Sequence, residues 1–73
     1  MSHDGKYAEA RALYEQLVAM AEAEHGPEHP KVAIALNELA QVLLFLGNYA
    51  LAQSTAERAL KINEAALGPH HPK

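Results

Sequence analysis

The spacing of the glycines is the strongest constraint on what this chain can fold into. The four glycines are Gly5, Gly26, Gly47 and Gly68, so each lies 21 residues after the one before it. Every proline follows either the second or the fourth glycine by no more than four residues. Two kinds of turn therefore alternate along the chain, and the complete period is 42 residues.

An alignment of the chain with itself supports this period. Residues 5–31 and 47–73 are identical at 12 of 27 positions, whereas roughly two identities are expected by chance at ordinary residue frequencies. The identities include Tyr7 with Tyr49 and the His-Pro-Lys sequence at 29–31 with that at 71–73. An internal repeat of this length is typical of helical solenoids, in which each repeat is one supersecondary unit.

Each 21-residue unit is predicted to form one helix. Its apolar residues recur at steps of three and four, which is the pattern of a helix with one buried stripe. Pro30 suits the first position of the second helix, and Gly47 suits the left-handed residue that follows its end. Helices are expected near residues 6–25, 30–46 and 48–67, with a tight reversal at Gly47, and no segment has the pattern of a strand.

The same pattern predicts the buried residues. The three stripes consist of Tyr7, Ala10, Tyr14, Leu17, Val18 and Ala21, then Ala33, Leu36, Leu39, Ala40 and Leu43, then Tyr49, Ala52, Ala56, Ala59, Leu60 and Asn63. The residues expected to be nearly inaccessible are Leu39, Ala40, Leu43, Tyr49, Ala52 and Leu60.

Composition argues against several classes of function. The net charge of −3 is too small and of the wrong sign for a nucleic-acid-binding domain. Cysteine is absent, which excludes disulfides and thiolate metal sites. No apolar run, including residues 42–46, is longer than five residues, far short of the roughly 20 residues that span a bilayer, and residues 1–5 lack the apolar core of a signal peptide. We therefore expect a cytoplasmic protein with neither membrane nor nucleic-acid partners.

The sequence around Gly47 resembles the tetratricopeptide repeat, which places leucine, small, aromatic and alanine residues at fixed spacing. The residues at these positions are Leu36, Leu39, Ala40, Leu43, Gly47, Tyr49, Ala52, Ala56 and Ala59. That family usually has a period of about 34 residues, and the 42-residue period is similar to the repeats of kinesin light chains. Ala56 departs from the family pattern by replacing a bulky aromatic residue, and Leu17 departs from it by replacing an alanine.

The resemblance implies an all-α solenoid fragment of three antiparallel helices in the order B–A–B. In this interpretation residues 1–73 are one segment, in which residues 5–26 are the second helix of a partial repeat and residues 27–68 are one complete repeat. It further implies a non-catalytic scaffold whose A helix lines a groove for a peptide or protein partner. The partner-binding positions would be Ile34, Asn37, Glu38, Gln41 and Phe45.

A structural self-assembly module is the alternative function. Residues 42–46 are all apolar, and five successive residues sweep more than one helical turn, so they cannot all face one neighbouring helix. Leu44, Phe45 and Leu46 are therefore expected to pair with other copies of the chain and form a homo-oligomer.

Metal binding by histidine is a more distant alternative. A site without cysteine needs three or more converging His, Asp or Glu ligands, but Gly26 and Pro27 separate His25 from His29, and the adjacent His70 and His71 diverge. Catalysis and cofactor binding are not expected. Ser54 and Thr55 have no histidine on their helix face, so they lack a general base. Every glycine lies at a boundary between the 21-residue units, so none belongs to a phosphate-binding loop.

Overall fold

Three α-helices joined by short turns form residues 3–67, the part of the chain that the computed structural model describes. Helix α1 spans His3–His25, α2 spans Pro30–Phe45 and α3 spans Tyr49–Leu67. These bounds lie within three residues of those expected from the sequence, and no strand occurs among the described residues. The all-α class is therefore confirmed, whereas the roles considered for Gly68, His70 and His71 fall outside the described residues.

The turn between α2 and α3 is built around Gly47. The Gly47 N–H donates to the Leu44 carbonyl at 3.0 Å, and the Asn48 N–H donates to the Leu43 carbonyl at 2.9 Å. This pair of hydrogen bonds is the Schellman motif, which places a left-handed residue just after the helix. Gly47 has a φ of +87°, which a residue without a Cβ adopts without strain. The predicted tight reversal is confirmed.

In the turn between α1 and α2, a glycine follows the end of α1 and a histidine caps the start of α2. Gly26 has a φ of +97°, and its N–H donates to the Glu22 carbonyl at 2.9 Å. His29 is the N-cap of α2, and its Nδ1 accepts a hydrogen bond from the Lys31 N–H at 3.1 Å. Pro30 begins the helix, where the missing N–H of proline costs no hydrogen bond. His29 therefore stabilises this turn as the N-cap of α2.

Helix α2 is the centre of the packing, because it lies against both α1 and α3. The three helices form a thin layer with extents of 48 × 27 × 14 Å. All five residues of the predicted α2 stripe are buried, and Val32 and Val42 are buried with them. The core cluster joins five of these seven residues to one residue of α1 and three of α3, and it consists of Val18, Val32, Ala33, Leu36, Leu39, Leu43, Ala52, Ala59 and Ile62.

The prediction was wrong for the outer side of α3. Tyr49 and Leu60 were expected in the core, but 68% and 56% of their surfaces are exposed. Helix α3 packs on α2 through Ala52, Ala59 and Ile62 instead, and the sequence pattern did not single out Ile62. Tyr49 and Leu60 belong to a second apolar stripe of α3, which lies roughly a quarter turn around the helix from the stripe of Ala52, Ala59 and Ile62.

Two further members of the predicted stripes are also exposed. Leu17 is 39% exposed on α1, although it was expected to be buried. Ala56, on the same outer stripe of α3 as Tyr49 and Leu60, is exposed as well. Each lies beside a surface that no described helix covers, and these positions were wrongly assigned to the core.

Replacing Ala52 by leucine should destabilise the fold by about 1–3 kcal/mol, because the added carbons overpack the contact between α2 and α3. Ala52 is only 2% exposed, so its methyl group is covered by its neighbours in the core. The free energy of unfolding is measured by urea denaturation followed by circular dichroism. Ala50→Leu is the matched control, since Ala50 is exposed on the same helix. An unfolding midpoint shared by both variants would mean that the helix pairing is incorrect.

The exposed face of α2 and the adjoining groove

The side of α2 that α1 and α3 leave exposed carries the residues expected to bind a partner. Ile34, Asn37, Glu38, Gln41 and Phe45 are all exposed, Ile34 by 62% and Phe45 by 67%. Ile34, Gln41 and Phe45 lie three or four residues from Asn37 or Glu38 or from each other, which aligns the five residues along one side of the helix. We refer to these five residues as the α2 face. The face combines apolar ends with amide and carboxylate groups in its middle.

An open groove runs between α1 and α2 beside this face. Its volume is about 430 Å³, and its wall is mainly apolar. Helix α1 contributes Tyr14, Leu17 and Ala21, and helix α2 contributes Lys31, Ile34, Ala35 and Glu38. Ile34 and Glu38 thus belong to both the groove and the α2 face. A volume of this size accommodates side chains or a small ligand.

The contribution of α1 to this groove was not predicted from the sequence. The size of Leu17 could have indicated this contribution, because Leu17 is larger than Ala59, the residue at the equivalent position of the next repeat. In the third helix the small Ala59 packs tightly on α2 and is 1% exposed. The larger Leu17 is instead part of the open groove wall.

The end of α2 carries the residues expected to support self-association. Leu44 is 50% exposed, Phe45 is 67% exposed, and Leu46 is partly buried. The Tyr7 ring of α1 stacks on the Phe45 ring, with 5.0 Å between centroids and 10° between planes. Tyr7 therefore covers one side of the Phe45 ring. Half or more of the surface of Leu44 and of Phe45 is still exposed to solvent.

The histidines at the first turn lie closer together than their sequence positions suggested. His25 ends α1 and His29 caps α2, and their rings stack with 4.4 Å between centroids. Stacked rings direct their nitrogens sideways rather than towards a shared ion. Among residues 3–67, no group of three or more His, Cys, Asp or Glu side chains could hold a metal ion.

Several glutamates are engaged in surface pairs. Arg11 Nε donates to the Glu15 carboxylate at 2.9 Å, and Gln53 donates to Glu57 at 3.3 Å in the equivalent place of the next repeat. Glu15 and Glu57 therefore each pair with a side chain four residues earlier on the same helix, an arrangement that stabilises exposed helix surfaces.

A third pair connects two helices. The Arg58 guanidinium of α3 donates to the Glu22 carboxylate of α1. Both side chains are at least one third exposed, so the ion pair contributes little to stability, typically about 0.2–1 kcal/mol. It joins α1 and α3 on the side opposite the α2 face, next to a cleft lined by Leu36 and Leu39.

The fold agrees with the comparisons with known proteins. The sequence model of the tetratricopeptide repeat family matches residues 1–65, which include α1, α2 and most of α3. Searches of curated proteins and of solved structures returned no match. Among the described residues, no helix has the length and apolar character needed to cross a membrane. The family match does not test the similarity to kinesin light chains, which stays a prediction. Because that match extends over most of the sequence, the chain belongs to the tetratricopeptide repeat family.

Proposed function

We propose that the chain is a cytoplasmic, non-catalytic scaffold that binds an extended peptide of a partner protein along the α2 face. Tetratricopeptide repeats generally serve as protein-interaction scaffolds. The observation that carries the proposal is that polar and apolar side chains share one exposed side of α2, next to an apolar groove. In this proposal α2 is the A helix of the repeat.

The middle of the α2 face suits the backbone of an extended peptide. Asn37 and Gln41 lie one turn apart, which separates them by about 6 Å along the helix axis. Alternate residues of an extended chain are separated by about 6.6 Å, so the two amides can reach the backbone of alternate peptide residues. Each amide offers two donors and an acceptor, which can bond a peptide N–H and a peptide carbonyl together.

The groove supplies the selectivity for a side chain of the same peptide. Leu17, Ile34 and Ala35 favour an apolar side chain, because its burial removes apolar surface from water on both partners. Lys31 and Glu38 place one cation and one carboxylate at this groove. A peptide with an apolar anchor next to polar residues therefore fits the site better than a highly charged one.

Selection from a random peptide library, followed by affinity measurement on the purified chain, tests this function. The double variant Asn37→Ala, Gln41→Ala should bind the selected peptides about tenfold more weakly or worse, since at least two hydrogen bonds to the peptide backbone are lost. Gln16→Ala is the matched control, because Gln16 is an exposed amide on α1. Selected peptides that bind the double variant and the control equally well would contradict a site on the α2 face.

Self-assembly is the second candidate function, and it is favoured by the exposed end of α2. Leu44 and Phe45 leave half or more of their surfaces in water, next to the partly exposed Tyr7. Pairing between copies would bury these side chains and leave the middle of the α2 face free. A peptide-binding monomer keeps a mass near 7.9 kDa at all concentrations, whereas an assembly module does not.

A further inference from the structure

The groove between α1 and α2 has a charged side chain at each end. Of the residues that line it, all of which the structure describes, Lys31 is the only cation and Glu38 is the only carboxylate. They are seven residues apart on α2, which separates them by about 10.5 Å along the helix axis. Ile34 and Ala35 line the groove between them, so its middle is apolar and its two ends carry opposite charges.

Both of these charges are available to a ligand. The Lys31 and Glu38 side chains are exposed, and neither forms a salt bridge or a hydrogen bond with another described side chain. By contrast, the Glu15 carboxylate on α1 is held by Arg11. A ligand that pairs with Lys31 or with Glu38 therefore breaks no ion pair between described residues.

The wall that α1 contributes to the groove carries no charge. It consists of Tyr14, Leu17 and Ala21. A charged group of a ligand at either end of the groove therefore meets Lys31 or Glu38 without a competing charge from the opposite wall.

An extended peptide has the spacing to reach the groove and both charges together. In an extended chain, alternate side chains point to the same side and are about 6.6 Å apart. The middle of the groove on α2 lies between Ile34 and Ala35, and Lys31 and Glu38 each lie about 5 Å from it along the helix axis. When one side chain of the peptide occupies the groove, the side chains two residues before and after it are therefore within reach of these two charges.

We propose that the groove binds a charge-balanced segment of the partner protein, in which an apolar anchor has one acidic and one basic residue, each two positions away. The acidic residue pairs with Lys31 and the basic residue pairs with Glu38. Two acidic or two basic residues would place one like charge beside Lys31 or Glu38, and this repulsion excludes the wrong partners. The inference rests on the proposed function, because it names the class of peptide that the same site selects.

The test is an NMR titration of the complete ¹⁵N-labelled chain with three ten-residue peptides. Each peptide has one leucine among serines, and the residues two positions before and after the leucine are charged. The first peptide carries one glutamate and one lysine, the second two glutamates and the third two lysines. The mixed peptide should bind about fivefold more tightly than either of the others, because each of those replaces one attraction by a repulsion. The amide signals of Lys31, Ile34 and Glu38 should shift most.

Charge reversal at either end of the groove should change which peptide binds best. Lys31→Glu leaves carboxylates at both ends, so the peptide with two lysines should become the tightest ligand. Glu38→Lys should favour the peptide with two glutamates for the same reason. Lys61→Glu and Glu64→Lys are the matched controls, because they change the net charge equally at exposed residues of α3. Each control should keep the preference for the mixed peptide, and circular dichroism checks that every variant is folded.

Three results would overturn the proposal. The first is equal binding of the three peptides, or a preference that the controls change as much as the groove variants do. The second is an absence of binding by all three. The third is an affinity that falls as the chain concentration rises, which would make a second copy of the chain the occupant of the groove. In each case the library selection decides separately whether the α2 face binds peptides, so failure of this inference is distinguishable from failure of the proposed function.

Discussion

Replacing Leu43 by alanine should lower the free energy of unfolding by about 2–5 kcal/mol, the largest effect that we expect from a single truncation. Leu43 is 1% exposed and lies in the cluster that joins all three helices. Its removal costs the transfer of the lost carbons from water and also leaves a cavity, because the neighbouring helices relax only partly. A domain of this size has a net stability of about 4–11 kcal/mol, so the variant should lose a large share of it.

Leu44→Ala is the matched control for that experiment. Leu44 is the next residue in the same apolar run, but half of its surface is already in water. The same truncation there should cost about 1 kcal/mol or less, since only part of the side chain loses apolar contacts. Urea denaturation at constant temperature gives both values. Equal destabilisation by the two variants would mean that α2 does not present Leu43 to the core.

The chain should self-associate between micromolar and millimolar concentration, and the double variant Leu44→Glu, Phe45→Lys should weaken this association by about a hundredfold or more. Burial of the exposed parts of these two side chains contributes about 1–2 kcal/mol each in every copy, and a hundredfold change corresponds to about 2.8 kcal/mol. The charged replacements remove this gain and resist burial without a partner. Sedimentation equilibrium measures the association constant.

A control double variant on α1 tests whether the loss of association is specific to the end of α2. Leu13→Glu, Met20→Lys introduces the same two charges at exposed residues of α1. This variant should associate as strongly as the natural chain. A natural chain that remains a folded monomer up to millimolar concentration would rule out the assembly module. If the α2 variant associates undiminished, the copies meet at another surface.

The helix ends and the buried stripe of α2 could be predicted from the sequence, because they depend on residues that are close together along the chain. Gly47 and Pro30 mark the end and the start of α2 through their own backbone chemistry, independently of the remaining fold. All five residues predicted for the buried stripe of α2 are buried, because they meet α1 and α3 along one broad side, and only Val32 and Val42 were missed on that side. The exposure of the α2 face follows from that same pattern.

The sides of α3 could not be assigned in the same way. This helix has two apolar stripes, one that packs on α2 and one that is open, and both follow the same helical period. The pattern could not decide between Leu60, which is exposed, and Ile62, which is 3% exposed. The groove was missed for a related reason, since it joins Tyr14 and Leu17 to α2 across a helix pair. Its shape depends on how two helices cross rather than on either sequence alone.

The central position of α2 has a consequence for how the chain reaches its native state. Apart from the Arg58–Glu22 pair, the described helices pack only on the helix that adjoins them in sequence. Such local topologies have low contact order and fold in microseconds to milliseconds. Helix α2 can pair first with α1 or first with α3, which gives two parallel routes. A substitution such as Ala52→Leu, which harms only one pair, should therefore redirect molecules to the other route rather than block folding.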